Sequence, residues 1–273
     1  MSRRLCLITG ASSGIGEALA REFADHGWDL ALVARRKERL ESLAEELKAK
    51  HGVDSLIIPA DLSEPGAPAA IVKTVEDAGR QVDGLVNNAG FGLAGTFFNT
   101  SWEQQAEFLQ VMVTAYAELV HRVLPGMAER GFGRILNVAS VAGLSPGAKG
   151  HTLYAGAKSL LIKFSQSLHL EAEDKGVHVT ALCPGFTYSE FHDVNETRST
   201  VSKLPSYWWL TAEDVAKAGY DAVSRNVTIR VPGAWYKFLV TLFRLMPDPL
   251  AELFMRRQSK SFRSETPQGA SAE

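Results

Sequence analysis

Tyr154 and Lys158 are the residues whose types and spacing most directly suggest chemistry. They lie four apart in a segment with strong helical periodicity, so both side chains leave the same face of a helix. A free tyrosine has a pKa of about 10, and a neighbouring ammonium group favours the phenolate and lowers that pKa. The pair could therefore act as a general acid and base at neutral pH. An ordinary surface pair is the alternative, but Ser140 ends the apolar run RILNVAS and could hold a substrate oxygen nearby.

A glycine-rich loop near the N-terminus indicates a bound phosphate group. The first apolar run leads into Gly10, Gly14 and Gly16, and the amphipathic sequence EALAREFADHG follows. Glycines allow the backbone to approach a pyrophosphate, and a helix N-terminus offers N–H groups and a positive dipole end. The spacing G-x-x-x-G-x-G differs from the general dinucleotide fingerprint, and a plain tight turn is the alternative. Its place between the first strand and the first helix predicts a dinucleotide-binding loop.

The residues after the second apolar run predict which dinucleotide binds. An NAD site carries an acidic residue about 20 positions after the loop, whereas this chain has Ala34, Arg35 and Arg36 there. Guanidinium groups form charge-assisted hydrogen bonds to a 2′-phosphate, so we predict NADP(H). We expect one arginine of the pair, Arg36, only to cap or solvate the next helix.

Seven short runs of apolar and β-branched residues alternate with helical patterns. Runs that are apolar throughout predict strands buried on both faces, and helix-length connections predict parallel pairing. We therefore expect a doubly wound α/β (Rossmann) fold, a parallel seven-stranded sheet flanked by helices. The predicted strands are 4–9, 29–34, 55–59, 84–87, 134–139, 178–183 and 226–231, and the predicted helices are 15–26, 36–50, 66–79, 102–130, 152–175 and 212–224. Residues 1–232 should form one catalytic and cofactor-binding domain, 233–260 a helical C-terminal extension and 261–273 a disordered tail.

The composition narrows the class of partner. With 29 Lys and Arg against 31 Asp and Glu, the 273 residues carry a formal charge of −2, which offers no basic surplus for nucleic-acid phosphates. Cys6 and Cys183 lie in apolar runs and cannot form a disulfide framework or a zinc site, so we expect no metal. We find neither a signal-peptide core nor an apolar run of about 20 residues. A cytoplasmic protein with a small-molecule substrate is expected.

Six motifs follow one another in the order of a known family. They are TGASSGIG at 9–16, Asp61-Leu62, NNAG at 87–90, Ser140, Tyr154-x-x-x-Lys158 and PGFTYS at 184–189. With these motifs, the sequence resembles the short-chain dehydrogenase/reductase family over roughly residues 4–231. The resemblance implies cofactor contacts from Gly10, Ser12, Ser13, Gly14, Ile15, Gly16, Asp61, Leu62, Asn87, Asn88, Ala89, Gly90, Pro184, Gly185, Thr187 and Ser189. Asp61 and Leu62 would meet the adenine, residues 87–90 the adenosine ribose, and residues 184–189 the nicotinamide carboxamide.

The resemblance also implies the reaction. Hydride would pass between the nicotinamide and a carbonyl or alcohol substrate, while Tyr154 gives or takes the proton on oxygen. Lys158 would lower the pKa of Tyr154 and bind the nicotinamide ribose. Tyr154 and Lys158 are therefore both expected to contact the cofactor as well as to act in the reaction. Ser140 would orient the substrate oxygen.

One residue departs from the family pattern. The family commonly has an asparagine in the helix after NNAG, where this chain has Met112. A thioether cannot donate a hydrogen bond and accepts one only weakly. The backbone carbonyl of Met112 could still hold a relay water in a working enzyme, which we favour because Ser140, Tyr154 and Lys158 are all present. The alternative is a weakly active or non-catalytic member that serves as a cofactor sensor or scaffold.

The substrate end of the chain is aromatic. Phe91, Phe186, Tyr188 and Trp208 are candidates for an apolar substrate pocket, and the long segment 190–210 is a candidate lid. The extension 235–257 could pack against the core or another subunit, cover the substrate entrance, or lie on a membrane. We favour packing, in a homodimer or homotetramer, over a peripheral membrane contact.

Overall fold

One parallel sheet forms the centre of the protein, in a computed structural model that describes residues 3–93, 95–188, 205–247 and 249–253. Its order is β3-β2-β1-β4-β5-β6-β7, and every neighbouring pair is parallel. The strands are β1 Leu5–Thr9, β2 Asp29–Ala34, β3 Ser55–Pro59, β4 Gly84–Asn87, β5 Gly133–Val138, β6 Val177–Leu182 and β7 Ile229–Arg230. The predicted doubly wound fold is confirmed. Because the strand order reverses between β1 and β4, their carboxyl ends border a crevice suited to a ligand.

A further helical segment covers residues 249–253, and eight α-helices have both ends within the described residues. They are α1 Gly14–Asp25, α2 Lys37–His51, α3 Ala67–Asp77, α4 Trp102–Leu109, α5 Ala115–Glu129, α6 Tyr154–Ala172, α7 Ala212–Ser224 and α8 Ala234–Leu245. The sequence predicted one helix over 102–130, but a π-helical turn at Gln110–Thr114 separates α4 from α5. A π turn inserts a residue without breaking the helix, so the apolar pattern does not reveal it. The last strand is shorter than predicted, because Asn226 adopts a positive φ of 57° and pairing is limited to two residues.

The two sheet faces are both buried, as the continuous apolar strands predicted. Along β1, Cys6 and Ile8 face the layer of α1, α2 and α7, whereas Leu5 and Leu7 face the layer of α3, α5 and α6. Successive strand residues point to opposite faces, so this arrangement requires apolar residues at every position. The strand ends are thereby held rigidly, and the polar residues just beyond them have defined positions.

Helix α8 is apolar on two sides. Tyr236 and Val240 are buried, whereas Phe238, Leu242 and Leu245 are exposed. One face of α8 thus packs on the domain, as the packing interpretation expects. None of the helices in the described ranges has the length and apolar character needed to span a bilayer. Ser189, residues 190–204 of the candidate lid, 254–260 of the extension and the tail 261–273 lie outside the described residues.

Candidate active site

The glycine loop forms a tight cradle between β1 and α1. Gly10 and Gly14 have positive φ angles of 66° and 58°, which a residue with a side chain rarely adopts. A Cβ atom on Gly16 would overlap the carbonyl oxygen of Gly10. Ser13, at the N-cap of α1, makes no side-chain capping bond, so the first N–H groups of the helix can meet an anion. A cleft of about 390 Å³ opens next to Ser13 and Gly14, between the starts of α1 and α7, and Tyr188 lines it. The glycine cradle and the open helix N-terminus fit the diphosphate of a dinucleotide.

The NNAG loop is bonded directly to the glycine loop. The hydroxyl oxygen of Thr9 accepts from the backbone N–H groups of Asn88 and Ala89, at 2.9 and 3.1 Å. The Asn88 side-chain amide donates to the carbonyl of Thr9 at 3.0 Å. The Asn88 side chain therefore joins the two loops, and the resemblance had assigned it to the ribose.

A buried polar network beneath this loop includes residues that sequence reasoning missed. The Asn87 amide donates to Asn137 on β5 at 2.9 Å, and Asn137 donates to Ser165 on α6 at 2.9 Å. The Tyr116 hydroxyl donates to the carbonyl of Ala89. Asn87 and Asn137 are register partners on β4 and β5, so an asparagine near the carboxyl end of each apolar run was the available signal. The network fixes α6 relative to the sheet.

The two arginines after β2 point to different sides. The Arg36 guanidinium donates to the hydroxyls of Ser13 at 2.9 Å and Ser12 at 3.1 Å. Arg35 is directed outward, with its side chain 74% exposed and its guanidinium 3.6 Å from the carboxylate of Asp61. Arg36, expected only to cap or solvate α2, does occupy the N-cap position of that helix, but its guanidinium is directed at the glycine loop. Consecutive residues leaving a strand point to opposite sides, so only one could face the glycine loop.

Asp61 follows β3 at the same edge of the sheet. Partial burial raises its pKa, but a hydrogen bond from the backbone N–H of Ser63 and the charge of Arg35 more than offset this and lower it. Asp61 is therefore an ionised acceptor near neutral pH. The neighbouring Leu62 is buried.

Ser140, Tyr154 and Lys158 lie around the carboxyl end of β5. The ammonium of Lys158 donates to the carbonyl of Val138 at 2.8 Å, which ties α6 to the strand two residues before Ser140. The Ser140 hydroxyl oxygen accepts from the backbone N–H of Ala142 at 3.1 Å. Tyr154 begins α6, and its ring centroid is 5.8 Å from the Lys158 nitrogen. The structure thus brings together a phenol, an ammonium and a hydroxyl that the sequence separates by up to 18 positions.

Two features of this cluster bear on its chemistry. Lys158 is 4% exposed, and burial lowers its pKa to about 7. The amine can therefore exchange a proton near neutral pH. Thr152 has a φ of 45°, a strained conformation for a β-branched residue, two residues before the helix that presents Tyr154. This turn explains why α6 begins at Tyr154 and not at the predicted residue 152.

Met112 fills the space between the NNAG loop and α6. The side chain is fully buried and packs with Phe108 and with Ala157 of α6. Its sulfur lies so close to Gly90 that a Cβ atom there would come within 2.5 Å. The thioether therefore acts as a packing group at the position where the family has an amide.

Replacing Met112 by asparagine is expected to lower the free energy of unfolding. The polar amide would enter an apolar pocket, at a cost of about 1–3 kcal/mol. Met112→Leu is the matched control, because a volume-conserving apolar change is tolerated better. Urea denaturation midpoints of the two variants check this, and equal stability would contradict the packing role.

An aromatic wall borders the cluster on the side of the loop after β6. The rings of Tyr188 and Trp209 stack with centroids 4.6 Å apart, and Phe186 contacts both Trp208 and Trp209. Phe91, another of the predicted pocket residues, lies on the other side and contacts Phe108, which in turn contacts Tyr154.

The loop after β6 is hydrogen-bonded to the segment that follows Ser140 and also to the segment that carries the aromatic wall. The backbone N–H of Val141, next to Ser140, donates to the carbonyl of Pro184 at 3.0 Å. The loop residue Thr187 is buried and forms a parallel bridge with Leu210. Pro184, Gly185 and Thr187 therefore lie between Ser140 and the aromatic wall.

Comparisons with known proteins give a consistent result. The family model described as short chain dehydrogenase matches residues 4–199. Sulfoacetaldehyde reductase 2 of Chromohalobacter salexigens is 36% identical over 218 residues, which cover 78% of this chain and 85% of that protein.

Two solved structures resemble the whole chain. A short-chain dehydrogenase of Sphingobium yanoikuyae in complex with NADPH is 30% identical, with a TM-score of 0.78 and 99% of each chain covered. A bulky-bulky ketone specific alcohol dehydrogenase of Comamonas testosteroni is 29% identical, with a TM-score of 0.75 and 100% and 98% of the chains covered.

Proposed function

The chain belongs to the short-chain dehydrogenase/reductase family, and from this premise we propose that it is an NADP(H)-dependent oxidoreductase of hydrophobic ketones or aldehydes and the corresponding alcohols. One observation carries the proposal: Ser140, Tyr154 and Lys158 surround the end of β5, in a site whose glycine loop faces Arg36. Ser140, Tyr154 and Lys158 suit proton transfer to a carbonyl oxygen. The glycine loop together with Arg36 suits a dinucleotide that carries a 2′-phosphate.

The residues that would hold the cofactor follow from this geometry. The backbone of Gly10, Gly14 and Gly16 and the start of α1 would bind the diphosphate. Arg36, with Ser12 and Ser13, would bind the 2′-phosphate. Asp61 and Leu62 would meet the adenine, the backbone of Ala89 and Gly90 the ribose, and Pro184, Gly185 and Thr187 the carboxamide. When bound, the cofactor supplies or accepts the hydride.

Ser140, Tyr154 and Lys158 would each have a different role in binding and protonating the substrate oxygen. The Ser140 oxygen already accepts from Ala142, so its hydrogen can be donated to a carbonyl oxygen. Tyr154 would donate its phenolic proton to the same oxygen during reduction and take it back during oxidation. Lys158 would favour the phenolate through its positive charge. It is 5.8 Å from the Tyr154 ring, and burial brings its own pKa to about 7.

The aromatic wall supports a hydrophobic substrate. Phe186, Tyr188, Trp208 and Trp209 form a continuous set of ring contacts on the loop that is bonded to the residue after Ser140, and such surfaces favour apolar ligands because they are costly to hydrate. The similar Comamonas protein, described as specific for bulky-bulky ketones, supports the same class.

Assembly and location are part of the proposal. A homodimer or homotetramer would cover the exposed apolar side chains Leu160 and Leu170 of α6 or Phe238, Leu242 and Leu245 of α8. Light scattering of the purified protein would measure the assembly. The lack of a basic surplus in the sequence supports small-molecule substrates over nucleic acid, and the free, buried thiols of Cys6 and Cys183 support the reducing, cytoplasmic location that we propose.

Cofactor choice provides the direct binding test. We expect Arg36→Ala to weaken NADPH binding by about 10- to 100-fold, because a charge-assisted hydrogen bond is worth about 1.5–3 kcal/mol. NADH binding should change little. Quenching of tryptophan fluorescence in titrations with both dinucleotides measures this.

Arg35→Ala serves as the paired variant in this titration. Its side chain is exposed and faces Asp61, so its removal should weaken NADPH binding less than Arg36→Ala does. NADH bound as tightly as NADPH by the wild-type protein would overturn the assignment.

A second candidate is a cofactor-binding protein without turnover. Met112 favours it, because the family amide is absent and the site there is apolar. The complete set of Ser140, Tyr154 and Lys158 favours the enzyme.

A further inference from the structure

Tyr236 is a buried tyrosine of α8 that belongs to none of the family motifs. It is only 2% exposed. Its hydroxyl accepts from the backbone N–H of Phe186 at 2.9 Å and donates to the carbonyl of Trp208. A single hydroxyl thus joins three segments: helix α8, the loop after β6 and the turn at Ser206–Trp208.

The Tyr236 ring lies directly against Gly185. A Cβ atom at Gly185 would overlap three carbons of the ring. The close approach therefore requires glycine at this position, and it leaves the loop backbone no room to move toward α8. Burial raises the pKa of Tyr236 to about 12, so the hydroxyl keeps its proton at neutral pH and can donate and accept together.

The same loop is fixed on its opposite side by the cluster at β5. The carbonyl of Pro184 accepts from the N–H of Val141, which follows Ser140. Three consecutive loop residues, Pro184, Gly185 and Phe186, are thus held between the substrate-orienting serine and Tyr236. Phe186 and Trp208, whose ring centroids are 6.3 Å apart, are both bonded through their backbones to the Tyr236 hydroxyl.

We propose that Tyr236 is a positioning residue that sets the spacing between the loop after β6 and the Phe186–Trp208 part of the aromatic wall, and thereby the selectivity for bulky substrates. This inference rests on the proposed function. Tyr236 contacts neither substrate nor cofactor in this role. It acts through the backbones of Phe186 and Trp208, so helix α8 would determine the shape of the substrate side of the site.

Tyr236→Phe tests the proposal, because it keeps the ring against Gly185 and removes both hydrogen bonds. We expect kcat/KM with NADPH to fall about tenfold for acetophenone and less than threefold for propanal, mainly through KM. The ratio of the two values is the decisive quantity, since a loss of folded protein lowers both values equally.

Tyr207→Phe is the matched control. This variant also replaces a tyrosine by phenylalanine, but Tyr207 is 61% exposed. The ratio of kcat/KM for the two compounds should therefore stay at the wild-type value. An unchanged ratio in Tyr236→Phe, or an equal change in Tyr207→Phe, would overturn the proposal.

Hydrogen–deuterium exchange separates this proposal from the proposed function. The amide of Phe186 should exchange at least tenfold faster in Tyr236→Phe than in the wild type, and Tyr207→Phe should leave it unchanged. If the wild-type protein reduces none of a broad panel of ketones and aldehydes that includes both test compounds, the proposed function fails, and this exchange measurement alone decides whether Tyr236 holds the loop. Unchanged exchange overturns the positioning role.

Discussion

Tyr154→Phe is expected to lower kcat for NADPH-dependent ketone reduction by about 10²- to 10⁴-fold, the range that a positioned acid or base contributes. Phenylalanine keeps the ring at the start of α6, where it contacts Phe108, but has no proton to donate. NADPH affinity should change far less than kcat, because the glycine loop and Arg36, which would hold the diphosphate and the 2′-phosphate, are untouched. Steady-state rates and fluorescence titration of the same preparations measure the two quantities.

Tyr220→Phe provides the control for this result. Tyr220 is a tyrosine of α7 that packs on Phe23 and His26, away from the cluster at β5. It should retain wild-type rates. Undiminished turnover in Tyr154→Phe would contradict the assigned acid. A wild-type protein that binds NADPH and reduces none of a broad carbonyl panel would instead support the sensor or scaffold.

Lys158→Met is expected to change the pH dependence of stability in the cofactor-free protein. Burial lowers the pKa of Lys158 from its ordinary 10.5 to about 7. Below pH 7 the lysine is charged in both folded and unfolded states, and the folded state carries the full penalty of burying that charge. Between pH 7 and 10.5 the unfolded chain binds more protons than the folded protein, so stability rises with pH.

The expected size of this effect is large. Relative to Lys158→Met, the wild-type free energy of unfolding should increase by up to about 1.4 kcal/mol per pH unit, or roughly 2–3 kcal/mol between pH 7.5 and 9.5. Urea denaturation at both pH values measures the difference. Lys163→Met is the control, because this lysine of the same helix is exposed and should show no such trend. A parallel pH dependence of wild type and Lys158→Met would show that the buried amine keeps its proton.

Tyr154 and Lys158 illustrate how much of the site is predictable from sequence. Residue types and spacing identified Tyr154 and Lys158 as a chemical pair, and the position of Ser140 after an apolar run identified their neighbour. All three are local signals, because a helix face and a strand end are set by nearby residues. The lowered pKa of Lys158 was not predictable, because it arises from burial by segments distant in the chain.

Arg35 and Arg36 show more clearly what the sequence alone cannot predict. Composition at residues 34–36 predicted a positive charge for a 2′-phosphate, but the assignment of a lesser role to Arg36 did not anticipate its bonds to Ser12 and Ser13. Which of two consecutive side chains faces the loop depends on the residue at which β2 ends. Strand ends are uncertain by a residue or two in any sequence-based prediction, and one residue reverses the side.

The sequence by itself determined the sheet, its parallel pairing and the chemical groups at the strand ends, because continuous apolar runs and helix-length connections leave few topologies. Only the tertiary structure decided the contacts among groups far apart in the chain. Asn137 meets Asn87 across 50 positions, and Tyr236 meets Phe186 across another 50. Such hydrogen bonds form because folding buries polar groups that must then be paired, and which partners lie within reach depends on how the packed layers meet.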